Sequence, residues 1–171
     1  MARTFLGRRD VPLGIRNNNP GNLRPGDKWQ GRTEAGQAGG FVQFQNMAWG
    51  IRAMLIDLSN KIRKGRNTVR RIISAWAPPT ENNTDAYIRF VARSMGVDAD
   101  AALTASKGTL FALASAIAIK ENGKKWALPS EELEAGWNLM PSRTKKVVAA
   151  AGGSAALFFI GLGIYFYTRM S

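Results

Sequence analysis

The chain has 171 residues, 24 of them basic and 12 acidic, and it carries a net charge of +12 at pH 7. Hydrophobic residues make up 45% of it, which predicts a folded domain and excludes a disordered chain. Because cysteine and histidine are absent, disulfides, thiolate or Ser–His catalysis and the usual zinc sites are excluded, and we expect no metal and no cofactor.

The N-terminal part of the chain predicts loops and one small hairpin. Residues 1–13 are expected to form a loose basic arm, without the apolar core of a cleaved secretory signal. Residues 14–40 are rich in Gly, Asn and Pro, which favours turns over helices. The FVQF run at 41–44 alternates like a strand, and Gly39 and Gly40 before it predict a tight hairpin turn.

Helices are predicted for the rest of the soluble domain, residues 14–140, because apolar side chains recur at helical spacing. The predicted helix starts are, in chain order, Met47, Thr68 and Thr84 (the last two as N-caps), Thr109 and Ser130. The predicted breaks are Gly65, Pro78–Pro79, Gly96 and Gly123. The expected fold class is therefore mainly α, an α+β domain with a small β-hairpin.

A C-terminal transmembrane helix is predicted over residues 147–167, preceded by a basic linker (141–146) and followed by a short tail (168–171). The segment carries no charge and, at about 1.5 Å per residue, would span roughly 30 Å, the thickness of a bilayer core. A buried core helix is the alternative. The basic residues of the linker would place the soluble domain on the cytoplasmic side, which conflicts with a role at the cell wall.

Among the acidic residues, Glu121 stands out because it closes an apolar helix just before Asn122 and Gly123. A carboxyl group at such an edge can be partly desolvated, which favours its protonated form, and a glycosidase needs such a proton donor. The alternative is a solvated Glu in the last turn of a helix, beside Lys120.

Two stretches resemble enzymes that cut bacterial cell walls. GIRNNNPGNLR, then WQG, then FVQF stand in the order found in the bacterial glucosaminidases of flagella and autolysins. Residues 72–96, IISAWAPPTENNTDAYIRFVARSMG, are similar to the cleft-lining segment of goose-type lysozymes and lytic transglycosylases. The order of residues 14–140 as a whole also resembles phage and prophage virion proteins that begin with R-N-N-N-P-G-N and end with an E-N-G helix.

In the glucosaminidases and transglycosylases the catalytic Glu precedes these motifs, whereas here the matching run, residues 119–123, follows them. The resemblance therefore implies a circularly permuted lysozyme-like fold with Glu121 as the general acid. It also implies a second carboxylate, Glu34, which would activate water or stabilise the transition state; an exposed turn residue is the alternative.

The remaining candidate residues would bind substrate. Asparagine amides suit the N-acetyl groups and hydroxyls of a glycan, although Asn-Pro-Gly-Asn is equally good turn chemistry. Aromatic faces suit sugar rings, although each ring could belong to the core. The predicted substrate-binding residues are Asn18, Asn19, Asn22, Trp29, Gln43, Trp76, Glu81 and Tyr87.

The sequence thus predicts a membrane-anchored, phage-type enzyme that cleaves peptidoglycan glycan strands, as a hydrolase or a lytic transglycosylase, in wall penetration or lysis. Its expected partners are peptidoglycan, the lipid bilayer and other virion proteins, and its expected location is the virion or the host cell envelope. The alternative is a non-catalytic structural membrane protein of a virion with the same fold. Nucleic-acid binding is not favoured, because no helix arranges its basic residues in a reading pattern.

Overall fold

A two-stranded hairpin and a set of helices form the protein in a computed structural model that describes residues 3–79 and 83–152. The strands are β1 (Arg32–Ala38) and β2 (Phe41–Phe44). The helices are α1 (Leu13–Arg16), α2 (Met47–Arg63), α3 (Val69–Trp76), α4 (Thr84–Met95), α5 (Lys107–Asn122), α6 (Ser130–Asn138) and α7 (Ser142–Gly152), with a 3-10 turn at Lys124–Trp126. The prediction of a mainly helical α+β domain is confirmed, whereas its likeness to lysozyme stays a prediction.

The hairpin forms where the glycines predict it. Ala38 pairs with Phe41, so Gly39 and Gly40 alone make the turn, with φ angles of 60° and 81°. Two positive φ angles are typical of a type I′ turn, whose twist matches that of antiparallel strands, and only glycine adopts them without strain. The predicted hairpin is therefore confirmed.

Side-chain caps explain where α3 and α4 begin. Thr68 Oγ1 accepts a hydrogen bond from the Arg71 amide at 3.2 Å, as an N-cap should. The expectation that Thr84 caps α4 is wrong by one residue, because Asn83 Oδ1 accepts from the Ala86 amide at 3.0 Å. Thr84 instead donates to the Ala77 carbonyl at 2.6 Å and so ties the start of α4 to the end of α3.

Helix α2 is the centre of the domain, with α5 and α6 packed against it. Two glycines allow close approaches to this helix. A Cβ on Gly50 would overlap the backbone carbonyl of Asn18, and a Cβ on Gly136 of α6 would overlap the Ile51 side chain. The loop before the hairpin and helix α6 can therefore lie directly on α2.

The N-terminal residues differ from the loose arm expected for 1–13. Phe5 is only 7% exposed and meets Trp126 edge to face, with 5.7 Å between the ring centroids. The Arg3 carbonyl accepts a hydrogen bond from the Met47 amide at 2.9 Å. Burial of Phe5 and Val11 stabilises this segment against the domain, which a count of basic residues does not reveal.

The C-terminal transmembrane helix is the clearest correction to the sequence analysis. Helix α7 begins at Ser142, inside the predicted linker, and Val148 is 1% exposed because it packs into the core. Across residues 3–79 and 83–152, no helix combines the length and apolar character needed to cross a bilayer. The rest of the predicted span, residues 153–167, lies outside the described residues.

Candidate active site

The site is built around the asparagine turn, which we define as residues 17–22. Asn18 and Asn22 both have φ near +51°, a left-handed conformation that asparagine tolerates better than most residues. Two such residues within five positions reverse the chain sharply. The turn therefore brings Asn22 back towards the helical part of the domain.

Three side-chain amides of this turn are buried and make hydrogen bonds within the protein. Asn17, Asn18 and Asn19 are all 0% exposed. Their side-chain nitrogens donate to backbone carbonyls of the hairpin and of the residue after the turn, namely those of Ala38, Phe44, Val42 and Leu23, at 2.9 Å each. Asn18 Oδ1 also accepts from the Phe5 amide at 2.9 Å, and Asn19 Oδ1 from the Leu23 amide at 2.9 Å. These amides hold the loop together and do not face a groove.

Glu121 is the acidic residue to which the asparagine turn is hydrogen-bonded. It lies in the last turn of α5 and is partly buried. Its Oε2 accepts a hydrogen bond from Asn22 Nδ2 at 2.7 Å, and its Oε1 accepts one from the Tyr87 hydroxyl at 2.7 Å. Each carboxyl oxygen is therefore fixed by one neutral donor, and the two donors come from distant parts of the chain.

Tyr87 reaches Glu121 from α4, which packs against α5. Burial raises the pKa of the Tyr87 hydroxyl well above its usual value, and the nearby negative charge of Glu121 raises it further. The hydroxyl therefore stays protonated and available as a donor. The ammonium group of Lys120 lies 5.7 Å from the centroid of the Tyr87 ring.

An open cleft of about 470 Å³ lies in front of Glu121. We call it the Glu121 cleft. Besides Glu121, its walls include Asn22, Arg24, Phe41 and Trp76. A carboxyl group at the wall of a cleft with polar and aromatic sides is suitably placed to exchange a proton with a bound polar ligand.

A second cleft, of about 220 Å³, adjoins the first. We call it the Trp29 cleft. The two share five lining residues, Gly21, Asn22, Arg24, Ala75 and Trp76. Together they form a groove that runs from Glu121 past Trp76 to Trp29.

The far wall of this groove carries a charged pair on α2. Lys61 Nζ lies 2.5 Å from Asp57 Oδ2, at the i,i+4 spacing of one helix face. The same ammonium group lies 5.2 Å from the centroid of the Trp76 ring, within the range of a cation–π contact. Trp76 is thereby held in place between the two clefts.

The structure brings together five of the predicted site residues and separates the others. Around the groove it gathers Asn22, Trp29, Trp76, Tyr87 and Glu121. Asn18 and Asn19 are buried beneath the hairpin, and Gln43 of β2 bonds to Thr33 and Asn17. Glu34 is exposed on β1 and is not among the described residues that line either cleft. Glu81 lies outside the described residues.

Several groove residues escaped the sequence analysis. Arg24 lies two residues after the end of the asparagine turn, and its guanidinium is 5.6 Å from the centroid of the Phe41 ring. Asp57 and Lys61 form an oppositely charged pair on one face of α2, and this i,i+4 spacing was the available signal. For Arg24 and Phe41 the available signal was that they belong to the matched GIRNNNPGNLR and FVQF motifs.

Comparison with known proteins assigns the family. No protein-family model matches the sequence. Over 119 residues, the chain is 36% identical to "Protein P5" of Pseudoalteromonas phage PM2, an alignment that covers 67% of this chain and 73% of P5. The chain belongs to the P5 family. The expected relationship to phage proteins is thereby confirmed, and the name P5 itself states no activity.

Proposed function

We propose that this phage-related protein cleaves the glycan strands of peptidoglycan, with Glu121 as the general acid. The observation that carries the proposal is the Glu121 carboxyl group, held by Asn22 and Tyr87 at the wall of a groove lined by aromatic and polar side chains. Cleavage of a glycosidic bond needs a carboxylic acid placed beside the leaving oxygen. This groove offers both the acid and room for a polysaccharide.

The two partners of Glu121 suit a group that gives up a proton. A tyrosine hydroxyl can donate or accept a hydrogen bond, so Tyr87 can stay in contact with Glu121 in either protonation state. Asn22 donates to the other oxygen and stabilises the negative charge that remains after proton transfer. The proton moves from Glu121 to the bridging oxygen as the bond from that oxygen to the sugar's anomeric carbon breaks.

Two routes can complete the reaction. In the hydrolytic route, water attacks the anomeric carbon and a reducing sugar is released. In the transglycosylase route, the 6-hydroxyl of the same muramic acid attacks and a 1,6-anhydro sugar forms. Both routes return a proton to Glu121, and the products distinguish them.

The phage relationship supports a role in wall penetration or lysis, with the protein associated with the virion or acting at the host cell envelope. Peptidoglycan lies between a phage and the host cytoplasm during entry, and between the new particles and the medium during release. Other virion proteins would be the partners in such an assembly. Analysis of purified particles for this chain would test the association with the virion independently of activity.

The decisive experiment replaces Glu121 by Gln in the full-length chain. The variant keeps the shape of the side chain and one acceptor oxygen but has no acidic proton to transfer, so we expect turbidity clearance of purified cell walls to fall by roughly 100-fold or more. Glu131→Gln, an exposed site in the first turn of α6, is the matched control and should retain activity. Mass spectra of the released muropeptides identify the bond and the route.

An inactive wild-type protein, tested on several wall types, would rule the enzyme out and favour the non-catalytic virion protein. Full activity in a correctly folded Glu121→Gln variant would leave the enzyme in place but remove Glu121 as its acid.

A further inference from the structure

Asn122, the neighbour of Glu121, fastens the end of α5 to the asparagine turn. Its side chain is buried, at 8% exposure, and its Nδ2 donates to the Pro20 carbonyl at 2.8 Å and to the Ala118 carbonyl at 3.0 Å. Pro20 precedes Asn22 by two residues. One amide therefore links the backbone that carries Glu121 to the backbone that carries its donor.

Gly14 orients both amides. A Cβ added to Gly14 would lie 2.5 Å from Asn22 Oδ1 and 2.5 Å from Asn122 Oδ1, so the two oxygens converge on its Cα. Neither oxygen accepts a hydrogen bond from the described residues, although both are buried. With the oxygens against Gly14, the nitrogens must point the other way, Asn22 towards Glu121 and Asn122 towards Pro20.

We propose that Asn122 and Gly14 are positioning residues, which fix the alignment of the Asn22 donor with the Glu121 carboxyl group. This inference rests on the proposed function of Glu121. Neither residue is among the described residues that line the clefts, so both act through Asn22 and Glu121 and not on the ligand. A shift of about 1 Å in a catalytic group can lower a rate by as much as 100-fold.

Two variants of the full-length protein test this proposal. Asn122→Leu keeps the branching at Cγ and adds no charge but removes both N–H donors, and Gly14→Ala inserts a methyl group between the two amide oxygens. For each we expect kcat on cell-wall glycan to fall roughly 10- to 100-fold, with KM changed less than about twofold. Leu133→Ala, a core truncation in α6, should lower the melting temperature without this loss of kcat.

A double-mutant cycle separates positioning from simple destabilisation. Asn22→Gly removes the donor and keeps the left-handed backbone that Asn22 adopts. If Asn122 acts by placing Asn22, Asn122→Leu should lower kcat much less in the Asn22→Gly background than in the wild type.

Three results would overturn the proposal. These are an unchanged kcat in folded Asn122→Leu, equal effects of Asn122→Leu with and without Asn22, and a loss of activity in both variants that merely parallels a loss of the helical circular-dichroism signal. A wild-type protein without activity would instead count against the proposed function itself.

Discussion

The Tyr87 hydroxyl should make the stability of the folded protein depend on pH in the alkaline range. In the folded protein its pKa lies far above the value of about 10 expected in the unfolded chain, because it is buried beside Glu121. Below pH 10 both states hold the proton. As the pH rises past 10, only the unfolded state loses it, so the free energy of unfolding should fall by up to roughly 1.4 kcal/mol per pH unit from this group.

This prediction is checked by urea unfolding of wild type and Tyr87→Phe between pH 7 and pH 11, a range chosen to span the usual tyrosine pKa of about 10. Phenylalanine has no ionisable group, so the stability advantage of the wild type over the variant should shrink above pH 10. Lysine titration affects both proteins equally and cancels in the difference. A constant difference across the range would contradict the buried, hydrogen-bonded hydroxyl.

The sequence identified the residue at the centre of the site but not the roles of its neighbours. Glu121 is predicted because a carboxyl group at the end of an apolar helix can be partly desolvated and because the resemblance implies it as the general acid, and the structure places it at the wall of the groove. Asn18 and Asn19 carry the same amide group as Asn22, so the sequence alone does not distinguish the three residues. The backbone φ angles and the contacts with the hairpin decide which amides bond to the backbone and which face the groove. Neither can be read from composition.

At the level of helices, the contact between α2 and the asparagine turn depends on a missing side chain. The Asn18 carbonyl lies against Gly50 Cα, where no Cβ fits. Gly50→Ala would push the turn away from α2, and we expect a loss of about 1–3 kcal/mol in the free energy of unfolding together with lower activity.

Gly108 in α5 provides the matched control for Gly50. A Cβ there meets nothing within 4 Å. Gly108→Ala should therefore be neutral or stabilise the protein by up to about 1 kcal/mol, since alanine costs less entropy in a helix. Equal unfolding midpoints for the two variants in urea would show that Gly50 is not a close-packing site.

Helix boundaries were largely predictable because local signals set them. Thr68, Gly96 and Gly123 stop or start helices through caps and backbone conformation, and these act within four residues. The prediction of a C-terminal transmembrane helix was wrong because hydropathy depends only on which residues are present and not on what they pack against. Val148, which lies in the predicted span, is buried in the core of the domain.

For the whole molecule, the net charge of +12 should strengthen attachment to an acidic cell wall. Exposed charges are screened by salt, so the affinity of the Glu121→Gln variant for purified walls should fall between about 50 and about 500 mM NaCl. Co-sedimentation measures this directly, and the inactive variant leaves the walls intact.

Walls stripped of their acidic polymers are the control for this measurement. They should bind the protein more weakly at low salt and show little further loss at high salt. Salt-independent binding to the complete walls would mean that groove contacts, and not the overall charge, account for the affinity.

The assembly of the whole domain could not be read from local patterns. The hairpin and most helices follow from turn chemistry and apolar spacing, but the packing of the N-terminal segment on Trp126 joins residues that are more than 100 positions apart in the sequence. The implied permutation of a lysozyme-like fold stays a prediction. It concerns the order in which elements are connected, whereas caps and spacing report only on each element by itself.

Both partners of the carboxyl group are far from it along the polypeptide, with a sequence separation of 99 from Asn22 to Glu121 and of 34 from Tyr87 to Glu121. A nascent chain emerging from the ribosome therefore presents Asn22 and Tyr87 long before Glu121 is synthesised. The three groups can meet only once translation has passed α5 and the two ends of the domain have come together. An incomplete translation product that stops before α5 would accordingly lack the assembled site.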